Sequence, residues 1–175
     1  MLSHLVLTVT GSDRPGIVQR VTEVLVSHAA NLEESRMARL GGEFAAIMLV
    51  AVPEARAAGL SQALASLERE SLRVVTRSTM RGPGAFQGYV PYEVSVSGAD
   101  DQGIVHAVAD FLAGHGVNIE SLQTSVVNAP ETGTALFSME ARVQAPRELA
   151  LGELRRRLGE IGERLGVDVE VRFPS

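Results

Sequence analysis

An α+β fold built twice in tandem is what this 175-residue sequence predicts, and three observations carry the expectation. The stretch Val9 to Val18, V-T-G-S-D-R-P-G-I-V, returns as Val96 to Val105, V-S-G-A-D-D-Q-G-I-V. The spacing of 87 residues holds through His28/His115, Asn31/Asn118 and Glu33/Glu120. Such a period is too long for a solenoid repeat and fits one small domain with its own core. Within each copy, strand-like and helix-like periodicities follow one another in the same order. Between the copies, residues 81–88 read R-G-P-G-A-F-Q-G, the composition of a linker. The expected organisation is a first domain over residues 1–80, a linker over 81–89 short enough to hold the domains side by side, and a second domain over 90–175.

Each element has a local reason. Leu5, Leu7 and Val9 point one way along a strand that stops at Gly11-Ser12-Asp13. Ile17, Val18, Val21, Val24 and Leu25 then fall on one face of a helix, with Asp13 as candidate cap and Pro15 suited to the first turn. The helix ends near His28 to Asn31. Residues 32–40 and 43–52 read as strands joined at Gly41-Gly42, a hairpin signal, and Pro53 closes the second. A helix over about 55–70 carries Leu60, Ala63, Leu64 and Leu67, and a strand over 72–76 completes the unit. The second half repeats the series as strand 91–98, helix 103–115, strands 117–127 and 134–145, helix 147–165 and strand 167–173. Its hairpin is lengthened by residues 128–133, which moves the alignment so that Pro53 matches Pro146. Strand, helix, strand, strand, helix, strand is the ferredoxin-like split βαβ arrangement.

Composition narrows the chemistry. The chain has no cysteine, which removes disulfides, thiolate ligands and a cysteine nucleophile. All sixteen basic residues are arginine, so Schiff-base lysine chemistry and the phosphate-loop lysine are excluded too. Residues 1–83 hold nine arginines against eight acids, and residues 84–175 hold seven against thirteen, so neither half offers a basic footprint for direct nucleic-acid binding. Arg155-Arg156-Arg157 lies among glutamates on a helix and reads as a solvated face. No apolar run approaches membrane-spanning length, and without a leader-like segment a cytoplasmic address is expected. His4 and His106 have no counterparts, no histidines stand at i, i+4, and Asp100-Asp101 is an adjacent acidic pair at a helix start. No metal, cofactor or catalytic constellation is expected from these. Glu33 and Glu34 should point to opposite faces of their strand.

The repeated segment resembles the signature of the ACT domain, a small ligand-sensing module. The residues that carry the likeness are Gly11 to Val18 with Asn31-Leu32-Glu33, and Gly98 to Val105 with Asn118-Ile119-Glu120. Two such halves without a catalytic domain look like the glycine cleavage system transcriptional repressor family. The resemblance implies a non-enzymatic regulator that binds a small amino acid, glycine or serine, and acts through a protein partner, a transcriptional activator, with a homodimer expected. In ACT families it places ligand sites at the join between two modules, near this turn and the start of the second strand. The alternatives are a regulatory subunit resembling the ACT portion of formyltetrahydrofolate deformylase, and a ligand-free oligomerisation module.

Physical chemistry gives the same turn a reason to bind. A glycine-bearing turn running into a helix presents unpaired N–H groups at a positive helix end, suited to an α-carboxylate. The candidate ligand-binding residues are Gly11, Asp13, Arg14, Pro15, Gly16, Ile17 and Asn31, with Gly98, Asp100, Gly103, Ile104 and Asn118 in the second half. Asp13 would take the ammonium group and Asn31 would complete the clamp. Each has a plainer reading as well. Asp13 and Asp100 suit helix caps, the glycines suit backbone geometry, and Asn31 and Asn118 suit left-handed helix terminators. His28 and His115 suit the negative ends of their helices. The second half has Asp101-Gln102 where Arg14-Pro15 stand. Finally, Phe44 to Val52 is apolar on both faces whereas Ala135 to Val143 is less so, which fits either unequal partners for the two sheets or a first strand that is simply central.

Overall fold

Strand alternation and helix periodicity resolve into two compact units, Met1–Gly82 and Pro83–Ser175. The computed structural model describes residues 1–80 and 86–174. Most of the expected linker, residues 81–85, lies outside the described residues. Its last part is a turn of the second unit, with the Tyr89 N–H donating to Phe86 O at 3.0 Å and Arg147 Nε donating to Gly88 O at 2.7 Å.

The first unit runs β1 (Leu2–Ser12), α1 (Ile17–Ser27), β2 (Asn31–Leu40), β3 (Glu43–Pro53), α2 (Glu54–Ala65), a 3-10 turn (Ser66–Glu70) and β4 (Leu72–Thr79). All pairings are antiparallel in the order β2-β3-β1-β4. Alternation along β1 puts Leu5, Leu7 and Val9 under the helices, where Met48, Val50 and Val52 of β3 join them. Ile17, Val21, Val24 and Leu25 cover them from α1, and Leu60, Leu64 and Leu67 from the other helical segment. The second unit repeats this as β5 (Val90–Ala99), α3 (Ile104–Gly114), β6 (Asn118–Asn128), β7 (Ala135–Ala145), α4 (Leu151–Leu165) and β8 (Val167–Arg172), in the order β6-β7-β5-β8. Its core holds Val94, Val96, Val108, Leu112, Leu154 and Leu158. The ferredoxin-like α+β fold is therefore present in both halves.

Departures from the sequence reading are local. The helix expected over 55–70 is α2 followed by a 3-10 turn, ending in Ser71 at φ 61. The helix expected from 147 begins only at Leu151, because the Leu149 N–H turns back to Pro146 O at 3.0 Å. The left-handed residues that end α1 and α3 are Ala29 (φ 54) and Gly116 (φ 67), whereas Asn31 and Asn118 are the first residues of strands. Gly41 and Gly42 both have positive φ, 58 and 87, the requirement of a two-residue type I′ hairpin. A β-bulge separates Leu32 from Glu34, and another separates Ile119 from Ser121. The extra residue is Glu33 in one half and Glu120 in the other, and Glu33 and Glu34 consequently line one groove instead of opposite faces.

Candidate functional site

Two kinds of glycine shape the turn after β1. Gly11 pairs with Leu72, and a Cβ on it would stand 2.6 Å from Ser71 O and 3.0 Å from Leu72 Cδ2. Gly98 repeats this against Val167, 2.8 Å from Cγ1 and 3.0 Å from Cα. The space these glycines leave is filled by the neighbouring strand. Gly16 and Gly103 are the N-cap residues of α1 and α3, at φ 92 and 89, and a Cβ on either would meet nothing closer than Gln19 Oε1 at 3.8 Å. Their requirement is the left-handed backbone, and they leave the helix ends open.

Asp13 and Asp100 do not cap. The left-handed glycines take that place, and neither helix has a side-chain cap or an acid in its first turn. The Asp13 N–H donates to Gly42 O at 2.8 Å, its carboxylate lies 3.7 Å from Arg39 Nε, and the Asp100 N–H donates to Ala135 O at 2.9 Å. Pro15 sits in the turn ahead of α1 and not in its first helical turn. The first helical bonds run from Arg20 N–H to Gly16 O and from Ala107 N–H to Gly103 O, both 2.9 Å. The N–H groups of Ile17, Val18 and Gln19, and of Ile104, Val105 and His106, precede those bonds and have no helical acceptor. The side chains of Ile17 and Ile104 are buried in their cores, so only their N–H groups face the turn.

Arginine anchors the first turn and not the second. Arg14 Nη2 donates to Glu70 O at 2.7 Å, and Arg20 grips the Glu70 carboxylate through Nε and Nη2 at 3.0 and 2.9 Å. The hydrogen bond from Arg20 holds the Glu70 carboxyl below the usual carboxylate range, helped by the charges of Arg20 and Arg14 and opposed by desolvation. The same bond raises the Arg20 guanidinium further. In the second turn Asp101 Oδ1 accepts from the Gln102 N–H at 2.7 Å, and the turn closes on itself.

Asn31 and Asp13 do not meet within a module. Gly11 pairs with Phe44 at one end of β3, and Asn31 pairs with Ala51 toward the other. That separation along the strand is roughly 24 Å at ~3.4 Å per residue. Asn118, opposite Gln144, is separated likewise from Gly98, opposite Phe137. The single-module clamp of Asp13 and Asn31 is thus ruled out by register. His28 and His115 lie at matching helix ends, with Nδ1 2.9 Å from Val24 O and 2.8 Å from Phe111 O, a structural position. Arg20, Glu70 and Arg39 escaped the sequence reading because their partners lie on other elements. The only signal was that arginine recurs around the first turn. Among the described residues no group of three His, Asp or Glu could hold a metal ion, and no helix is long and apolar enough to cross a membrane.

Known proteins share this arrangement. Residues 3–75 match the ACT domain family. The glycine cleavage system transcriptional repressor of Escherichia coli K12 is 31% identical over 146 residues, 82% of this chain and 75% of that protein. The chain belongs to the glycine cleavage system transcriptional repressor family. A crystal structure of an unknown protein from Galdieria sulphuraria is 35% identical, covers all of both chains and superposes with a TM-score of 0.84. A UPF0237 protein of Pyrobaculum aerophilum is 42% identical over 79 residues, 45% of this chain and 81% of its own length.

Proposed function

We propose that this protein is a non-enzymatic amino-acid sensor that binds glycine or serine at the Asp13–Ile17 turn and regulates glycine cleavage genes in the cytoplasm through contact with a transcriptional activator. The observation that carries the reading is the bare N-terminal end of α1, which has neither a capping side chain nor a first-turn acid. A ligand carboxylate would satisfy the N–H groups of Ile17, Val18 and Gln19 and complement the helix dipole. The Asp13 carboxylate, three residues ahead of Gly16 and 3.7 Å from Arg39 Nε, would exchange that arginine for the ligand's ammonium group. The relatives named as transcriptional repressors supply the regulatory part of the reading.

The rest of the site would come from a second chain. Asn31 begins the edge strand β2, and the far end of β2 lies at the Gly41-Gly42 hairpin, which the Asp13 N–H touches. Two β2 edges paired antiparallel across a homodimer would bring Asn31 of a second chain to the Asp13 turn of the first. Asp101 adds a negative charge at the second turn, and at an effective dielectric near 20 and separations of about 6–8 Å it would oppose a carboxylate by roughly 2–3 kcal/mol. The first turn is therefore the stronger site. Calorimetric titration with glycine, serine, alanine and threonine tests the reading. Saturable heat with glycine or serine, at one ligand per chain, is expected, and the absence of heat with both, or heat with alanine or threonine alone, would refute it.

A further inference from the structure

The duplication provides an internal comparison for the face of each sheet that the helices leave open. Strand register aligns these faces row by row. In the first unit one row is Glu34, Leu49, Val6, Arg77, and the next is Arg36, Ile47, Thr8, Val75. The corresponding rows in the second unit are Ser121, Arg142, Glu93, Arg172 and Gln123, Glu140, Ser95, Glu170. At four matched positions, then, Val6, Leu49, Ile47 and Val75 face Glu93, Arg142, Glu140 and Glu170 as alternatives on one scaffold. The fold does not require apolar side chains there. Ile47 is 52% exposed and Val75 47%, so these residues do not stabilise the unit's own core either.

On the second face one ion-pair cluster centres on Glu93, and Glu140 and Glu170 add further negative charge. Glu93 accepts from Arg172 at 3.0 Å and lies 3.3 Å from Arg142. On the first face Arg36 pairs with the neighbouring Glu34 at 3.1 Å, and Glu33 at the bulge stands 3.6 Å from His4. Arg77, and Arg73 one row further on, are exposed and flank Val75 on the same edge strand. Where Arg73 stands, the second unit has Asp168. A groove of about 490 Å³ runs over this face past Val6, Ile47 and Leu49.

We propose that the open sheet face of the first unit docks a protein partner whose contact surface is apolar and edged with carboxylates. Exposed apolar side chains gathered on one face mark an interaction site, and the flanking arginines set the charge of what covers it. A second copy laid face to face would oppose three arginines and two glutamates with the same set, a net positive charge on both sides. The inference rests on the reading that the protein works through protein contact, but it does not depend on the amino-acid site.

The probe is a fluorescent peptide of about ten residues alternating valine and glutamate, with a valine–lysine peptide as control. Fluorescence anisotropy should show the glutamate peptide binding at least about tenfold more tightly than the lysine peptide. Ile47→Glu with Val75→Glu, both residues the second unit carries at the same register, should weaken it at least about tenfold without lowering the unfolding temperature. Arg73→Ala with Arg77→Ala should remove the preference for glutamate. Equal binding of both peptides, or no binding below about 1 mM, would overturn the proposal. So would a dimer in sedimentation that Ile47→Glu dissociates, since it would assign the face to a second copy. Amino-acid calorimetry on the Ile47→Glu, Val75→Glu protein separates the two readings: ligand heat retained with peptide binding lost locates the docking face apart from the sensor site.

Discussion

Gly11→Ala should unfold the first unit early while leaving the ligand chemistry of the turn in place. The new Cβ would stand 2.6 Å from the Ser71 carbonyl oxygen, a backbone atom that cannot rotate away, and 3.0 Å from Leu72 Cδ2. Reaching ordinary contact at 3.4 Å means opening β1 from β4 by about 0.8 Å at a residue pair whose Leu72 side chain is 1% exposed. Overpacking of this kind costs about 1–3 kcal/mol. For a unit of this size each kcal/mol lowers the unfolding midpoint by roughly 4–8 °C, so a fall of about 4–24 °C is expected. Gly98→Ala, at 2.8 Å from Val167 Cγ1, should act similarly on the second unit. Gly103→Ala meets no atom but is strained at φ 89, at about 1–2 kcal/mol. Thermal unfolding followed by circular dichroism reads all three. A Gly11→Ala protein with an unchanged midpoint and no amino-acid binding would refute the reasoning, because Gly11 would then line the ligand site and not the strand contact.

Other expectations concern charge. Glu70 has a lowered folded pKa, so its ion pair with Arg20 contributes stability above the ordinary carboxylate pKa of about 4.3 and loses it as the pH falls through the folded value. Glu70→Gln should therefore lower the midpoint at pH 7, and the difference from the unaltered protein should vanish on acidification. The shift should be small, since both side chains are over a third exposed and screened by water. Asp101→Arg with Gln102→Pro restores the Arg-Pro of the first turn in the second half and removes the opposing charge, and calorimetry should then record two amino acids per chain instead of one.

The fold was legible because two local periodicities and one long repeat agree. The central strands had a buried alternating face, each helix a leucine or valine stripe, and each appeared twice. Errors fell where a local signal had a non-local competitor. Asp13 looks like a cap until the left-handed Gly16 takes the position, and the helix after Pro146 looks longer than the turn that Leu149 makes there. The glycines of the motif were readable as special, but not which ones serve a close strand and which serve backbone sign. The site was less legible because it depends on register. Nothing in the spacing of Asp13 and Asn31 reveals that they lie at opposite ends of a sheet, nor that Arg20 finds Glu70 fifty residues away. The asymmetry of β3 and β7 was visible as apolar content, whereas its meaning required the row-by-row pairing.

The most direct measurement of the central claim is titration calorimetry of the bound amino acid on Asp13→Ala, Asn31→Ala, Asp100→Ala and Asn118→Ala, with folding checked by circular dichroism. The account predicts that Asp13→Ala and Asn31→Ala each weaken binding at least about tenfold, the loss of one charge-assisted contact, while Asp100→Ala and Asn118→Ala leave it within about twofold. Equal losses in both halves would contradict the ranking of the two turns, and unchanged affinity in all four variants would contradict a ligand at the turn altogether.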